Sequence, residues 1–167
     1  MTPGGIVIHC SASGYGSAEL IDDWHRDRGF QRADPRSGLR HIGYHYVVGN
    51  GRESSSDSYR AEADGVIWRG RREGEIGAHA RGCNSWIGIC LIGKNGIFTP
   101  AQLAALWALS ASFVVRYGLR DLEVIGHCET KHERSARSPK TCTELDMDEQ
   151  RAAIFRVASG LKTELMC

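Results

Sequence analysis

Apolar positions along the chain change their period several times, and each change marks an element. Gly5-Ile6-Val7-Ile8-His9-Cys10 is a short β-branched run and predicts a buried strand. Ser17 then offers an N-cap with Glu19 in the first turn, and Leu20, Ile21 and Trp24 form an apolar stripe that Gly29 ends. Gln31 to Gly38 reads as a polar loop containing Pro35. Tyr44 to Val48 is aromatic and β-branched and predicts a strand, Gly49-Asn50-Gly51 starts a turn, and Val66-Ile67-Trp68 is the returning strand. Between them, Arg52 to Asp64 is rich in serine and charge and reads as an exposed hairpin excursion with little core of its own. Trp86 to Ile92 is almost continuously apolar, as a strand covered on both faces requires.

The strongest local signal is Thr99-Pro100-Ala101-Gln102. Thr99 is an N-cap, Pro100 sits at the first helical position and Gln102 completes a capping box. Leu103, Leu106, Trp107, Ser110, Phe113, Val114 and Tyr117 follow at helical spacing up to Gly118. Leu122 to Ile125 predicts a further strand that leads into Gly126-His127. Asp146 and Glu149 resemble a capping pair for a closing helix carrying Met147, Ile154, Phe155 and Ala158, with Gly160 as its stop. The expected architecture is α/β: a single domain over 1–167, core about 5–160, with a central mixed sheet of about five strands flanked by about three main helices.

Composition narrows the classes. Hydrophobic residues at 41% and charged residues at 25% describe a globular chain and exclude a disordered one. Lys+Arg 21 against Asp+Glu 20 leaves a net charge of +1, so no overall positive field favours nucleic acid. The longest mostly apolar stretch, Leu103 to Val115, is broken by Ser110 and Ser112 and falls short of the roughly 20 residues of a membrane span. Met1 to Gly5 has no basic region and only Ile6-Val7-Ile8 follows, so no classical secretion signal is visible and synthesis in a cytoplasm is expected. Cys10, Cys83, Cys90, Cys128, Cys142 and Cys167 are read as mostly reduced, because a chain of this length buries its own core.

Histidine and cysteine carry the candidate chemistry. His41 and His45 have the spacing of a helical zinc pair, but Gly43 and the residues after it favour a strand, where four residues span roughly 13 Å. His9 ends one predicted strand, His127 follows another, and Cys142 lies in a loop just before a helix. Two imidazoles and a thiolate leave the fourth tetrahedral position open, as a catalytic zinc requires. Taken singly, a histidine is more often a hydrogen-bonded structural residue than a ligand, and a cysteine more often a small core residue. Cys10 and Cys128 each follow a candidate ligand, and strand alternation would turn them into the core.

Seven segments together resemble a known family. They are His9-Cys10-Ser11-Ala12, Gly43-Tyr44-His45-Tyr46, Gly77-Ala78-His79-Ala80, Asn84 to Ile89, Phe98 to Gln102, Gly126-His127 and Pro139-Lys140-Thr141-Cys142, in that order. The set is similar to the zinc N-acetylmuramoyl-L-alanine amidases, a family that includes phage amidase-type lysozymes and animal peptidoglycan recognition proteins. The resemblance implies one zinc ion (Zn2+) held by His9, His127 and Cys142, an active-site tyrosine at Tyr44 and lysine at Lys140, and groove residues His79 and Asn84. It departs from the family after Cys142, where Thr143-Glu144 replace proline and a small residue, and at 52–64, where a tight turn is usual.

The implied reaction is hydrolysis of the bond between N-acetylmuramic acid and the L-alanine of the stem peptide in peptidoglycan or a muropeptide. An endolysin-type lytic enzyme acting on the cell wall is expected. A variant is a toxin delivered to rival cells, which would have an immunity or inhibitor protein. A cytoplasmic muropeptide-recycling amidase is the alternative that Cys142 and Tyr44 oppose, since those relatives carry aspartate and an acidic residue there. A non-catalytic peptidoglycan-binding module is opposed by the presence of Cys142. A structural zinc domain would need a fourth ligand, for which Cys128 or His132 is nearest.

Overall fold

The computed structural model describes residues 2–33, 38–135 and 142–165. Strands Ile6–Cys10 (β1), Tyr46–Asn50 (β2), Asp64–Arg69 (β3), Ile87–Leu91 (β4) and Val124–Gly126 (β5) form one sheet in the order β3-β2-β4-β1-β5. Only β3 runs antiparallel, at one edge; the other neighbours are parallel. The helices are Ala18–Asp27 (α1), Pro100–Tyr117 (α2), the single turn Lys131–Arg134 (α3), and Met147–Leu165 (α4). The fold is therefore one α/β domain with a five-stranded mixed sheet and three long helices, as expected.

Strand alternation divides the core between the two faces. Ile6, Ile8, Ile87, Ile89, Leu91, Tyr46 and Val48 pack beneath α2 and α4, against Leu106, Phe113, Val114 and Ile154. Val47, Cys90 and Ile92 point the other way, toward Ala18, Ile21 and Ile42 on the α1 side. The crossover leaving β1 thus covers one face and the crossover leaving β4 covers the other. In such sheets the carboxyl ends of the parallel strands border a crevice.

The caps act as the sequence indicates. Ser17 Oγ accepts from the Leu20 N–H at 3.3 Å. Thr99 and Gln102 form a reciprocal capping box, and buried Gln102 also donates to the carbonyls of Val48 and Ile92 at 3.1 and 2.8 Å. Asp146 Oδ1 accepts from the N–H groups of Asp148 and Glu149 at 3.0 and 3.2 Å.

Three boundaries differ from expectation. β2 begins at Tyr46 rather than Tyr44, because its ladder with β3 starts at Tyr46 opposite Arg69. Leu122 is 83% exposed in a 3-10 turn, so β5 starts at Val124. α4 runs through Gly160 to Leu165. Leu161 beyond the glycine packs on the core, which offsets the roughly 1 kcal/mol that glycine costs inside a helix. The connection 52–63 is bonded largely to itself: Asp57 accepts from the N–H groups of Glu53 and Ser54 at 3.0 and 2.9 Å, and Ala63 is its buried residue.

Candidate active site

Strand register brings the two candidate histidines together. β1 and β5 pair with Ile8 opposite Gly126, so the next residues, His9 still within β1 and His127 just past β5, stand side by side. Their rings lie 4.5 Å apart between centroids, and both are buried. Cys142 reaches the same point from the loop before α4. Its sulfur accepts from the Cys10 N–H at 3.4 Å, while the Thr143 N–H is donated to the Cys10 sulfur at 3.4 Å. One donor atom from each of His9, His127 and Cys142 lies within 4.8 Å of the others.

That donor set fits zinc. A tetrahedral ion with bonds of about 2.0–2.3 Å needs donors about 3.3–3.7 Å apart, so a closing of about 1 Å suffices. Two imidazoles and one thiolate match its borderline softness. Among the described residues no fourth histidine, cysteine or carboxylate joins the group, so Cys128 and His132 do not complete a closed structural site. Behind His127, the buried carboxylate of Glu133 stands 3.7 Å from Nε2. Without a cation the Cys142 thiol is held well above its ordinary pKa, first by its hydrogen bond with Cys10 and then by burial. A divalent cation at this point reverses that preference.

The trio lines a cleft of about 580 Å³. Tyr44 forms part of its wall, ring to ring 5.0 Å from His9 and 5.2 Å from His25, and burial raises its phenol well above the ordinary value. Arg28, Lys94 and Glu144 bring charge to its lining. His79 lies 3.1 Å from His9, nitrogen to nitrogen, and burial with His45 nearby lowers its pKa to about 3. Asn84 is not at the trio. It borders a shallow neighbouring depression with Phe30 and Arg81, and its side-chain oxygen accepts from the N–H groups of His79 and Ala80 at 2.9 Å each. Lys140 lies outside the described residues. His41 and His45 serve the backbone: His41 Nδ1 bonds Phe30 O at 2.6 Å, and His45 bonds Glu75 O and the Gly88 N–H at 2.9 and 3.0 Å.

Three site features were not anticipated. Cys10, expected in the core, lines the cleft beside Cys142, because it is the last residue of β1 and the chain turns there into Ala12 at φ 56°. His25 lies beneath Tyr44, where its Nδ1 accepts from the Gly43 N–H at 2.8 Å. Its place one turn after Ile21, on the apolar face of α1, was the available signal. The third is backbone strain at the point of departure from the family pattern. Thr143 and Glu144 have φ of 80° and 51°, and Asn95, which also lines the cleft, has 57°. A β-branched residue at positive φ is an outlier, and Thr143 is fully buried.

Known proteins resemble this chain in sequence and in fold. The family model described as N-acetylmuramoyl-L-alanine amidase matches residues 1–144. The endolysin of Escherichia phage T7 is 29% identical over 154 residues, covering 85% of this chain and 81% of that protein. Among solved structures, N-acetylmuramoyl-L-alanine amidase LysC from Clostridium intestinale URNW superposes with a TM-score of 0.68 at 25% identity, covering 93% of this chain and 87% of its own. Drosophila PGRP-LB shares the fold, with a TM-score of 0.57 at 22% identity over 85% of this chain and 75% of its own. No described helix is long and apolar enough to cross a membrane. A domain of this fold, matched by that model over most of its length, belongs to the N-acetylmuramoyl-L-alanine amidase family and is an amidase.

Proposed function

We propose that this amidase is zinc-dependent and cleaves the bond between the lactyl carbonyl of N-acetylmuramic acid and the L-alanine nitrogen of peptidoglycan stem peptides. The observation that carries the reading is the convergence of His9, His127 and Cys142 in the lining of the cleft, with no fourth described ligand. Zinc, when bound, supplies Lewis acidity that polarises the carbonyl and acidifies water. His9, His127 and Cys142 hold it. Tyr44 donates a hydrogen bond from its neutral phenol to the oxygen that gains charge as water adds. Lys140 supplies positive charge to the same oxygen. The carbon–nitrogen bond then breaks, leaving a free lactyl carboxylate and an L-alanine amino terminus. The walls beyond the trio hold the glycan and peptide.

The resemblance to proteins named endolysin favours a lytic role at the cell wall over a delivered toxin with an immunity partner. Digestion of purified peptidoglycan tests the reaction. New L-alanine amino termini without new reducing sugars are expected, lost on zinc chelation and restored by zinc. New reducing sugars, or undiminished cleavage in excess chelator, would overturn the reading.

A further inference from the structure

His79 stands behind His9, and several separate parts of the chain hold it there. Gly77 and Gly88 leave a slot for its ring: a Cβ on either would stand 2.4 or 2.6 Å from His79 Cδ2. The Asn84 side-chain oxygen fixes the turn by accepting from the His79 and Ala80 N–H groups. The ring meets His9 edge-on, at 85° between planes and 5.1 Å between centroids. Its Nε2 lies 3.1 Å from the Trp86 carbonyl oxygen, and its Nδ1 lies 3.1 Å from His9 Nε2.

These two contacts decide where the protons are. A carbonyl oxygen only accepts, and a neutral imidazole has one N–H and one lone pair. His79 therefore carries its proton on Nε2, pointed at Trp86, and its Nδ1 is an acceptor. His9 must then donate from Nε2, which leaves the His9 lone pair on Nδ1.

We propose that His79 is a positioning residue that fixes His9 as the Nε2–H tautomer and so makes Nδ1 the nitrogen that binds zinc. The inference rests on the zinc reading above. It gives His79 a task other than lining the substrate groove, and it makes Asn84, Gly77 and Gly88 supports of that task. A ligand imidazole oriented through its second nitrogen is held in one rotation and one tautomer, so metal binding does not have to select them.

The parent protein tests this without a variant. Nitrogen-15 NMR of the histidine side chains, zinc-free and zinc-loaded, should show His9 protonated on Nε2 in both states, with zinc shifting the Nδ1 resonance. Protonation on Nδ1, or a zinc shift at Nε2, overturns the inference while leaving the zinc reading intact. A parent protein that binds no zinc overturns both. In chelator competition, His79→Phe fills the slot without an acceptor and should weaken zinc binding about 10- to 100-fold. His79→Asn, which returns an acceptor near the Nδ1 position, should recover most of that loss. Parent-like affinity in folded His79→Phe, or no recovery in folded His79→Asn, overturns the proposal.

Discussion

Acid should destabilise this domain through His25, by an amount the structure sets. The imidazole is 4% exposed, its Nδ1 accepts from the Gly43 N–H at 2.8 Å, and its ring lies 4.7 Å from Phe30 and 5.2 Å from Tyr44. Burial, and secondarily the nearby Arg28 charge, lower its pKa from an ordinary 6.5 to about 4. The unfolded chain therefore takes up the proton first as pH falls. The stabilisation is fully present above about pH 6.5 and is lost progressively toward about pH 4. At about 1.4 kcal/mol for each pH unit between the two values, the whole loss is about 3 kcal/mol, and about 2 kcal/mol of it falls between pH 7.5 and 5.0. Substituting His25→Asn keeps an acceptor for Gly43 and removes the titration. Urea unfolding of parent and variant at both pH values isolates the effect, since other titrating groups cancel in the difference. The parent should lose about 2 kcal/mol more than the variant over that interval. Equal losses would show that His25 does not enter the fold as a buried neutral imidazole.

Three further outcomes follow from the site and its surroundings. Cys142→Ser should lose zinc and activity together, because a serine hydroxyl is not readily ionised at neutral pH; zinc content and peptidoglycan hydrolysis measured side by side check it, and full retention of both would remove Cys142 from the ligand set. Tyr44→Phe and Lys140→Ala should each keep zinc and lose about 10²- to 10³-fold in rate, the usual effect of removing one partner of a developing oxyanion; parent rates would make either residue a bystander. Replacing 53–62 with a short Asn-Gly turn should leave zinc content and hydrolysis unchanged, because its polar bonds are mostly internal; loss of soluble protein would show that the connection supports the core.

The elements legible in the sequence are those whose signals are local. The capping box at Thr99 and Gln102 needs only four residues to be read, and the β-branched run Ile6–Ile8 can satisfy its apolar surface only as a covered strand. His9 and His127 were legible as strand-end residues, but their juxtaposition depends on the Ile8–Gly126 register, which no single segment encodes. The rest is tertiary in origin. Cys10 comes to lie beside Cys142 through a left-handed turn at Ala12 and a loop from the far end of the chain. The bond that makes His79 a support for His9 likewise joins distant segments, although the Asn84 bond that fixes the His79 turn spans only five residues. Gly160 read as a stop because its own preference is against helix, whereas packing of Leu161 on the core carries α4 past it.

The proposed function stands on His9, His127 and Cys142 holding one zinc ion and leaving a position open. X-ray absorption at the zinc edge of the loaded protein tests it most directly. One zinc per chain is expected, with a single sulfur at about 2.3 Å and two imidazole nitrogens at about 2.0–2.1 Å, completed by a light solvent atom. A first shell without sulfur, or one closed by four protein ligands, would contradict it.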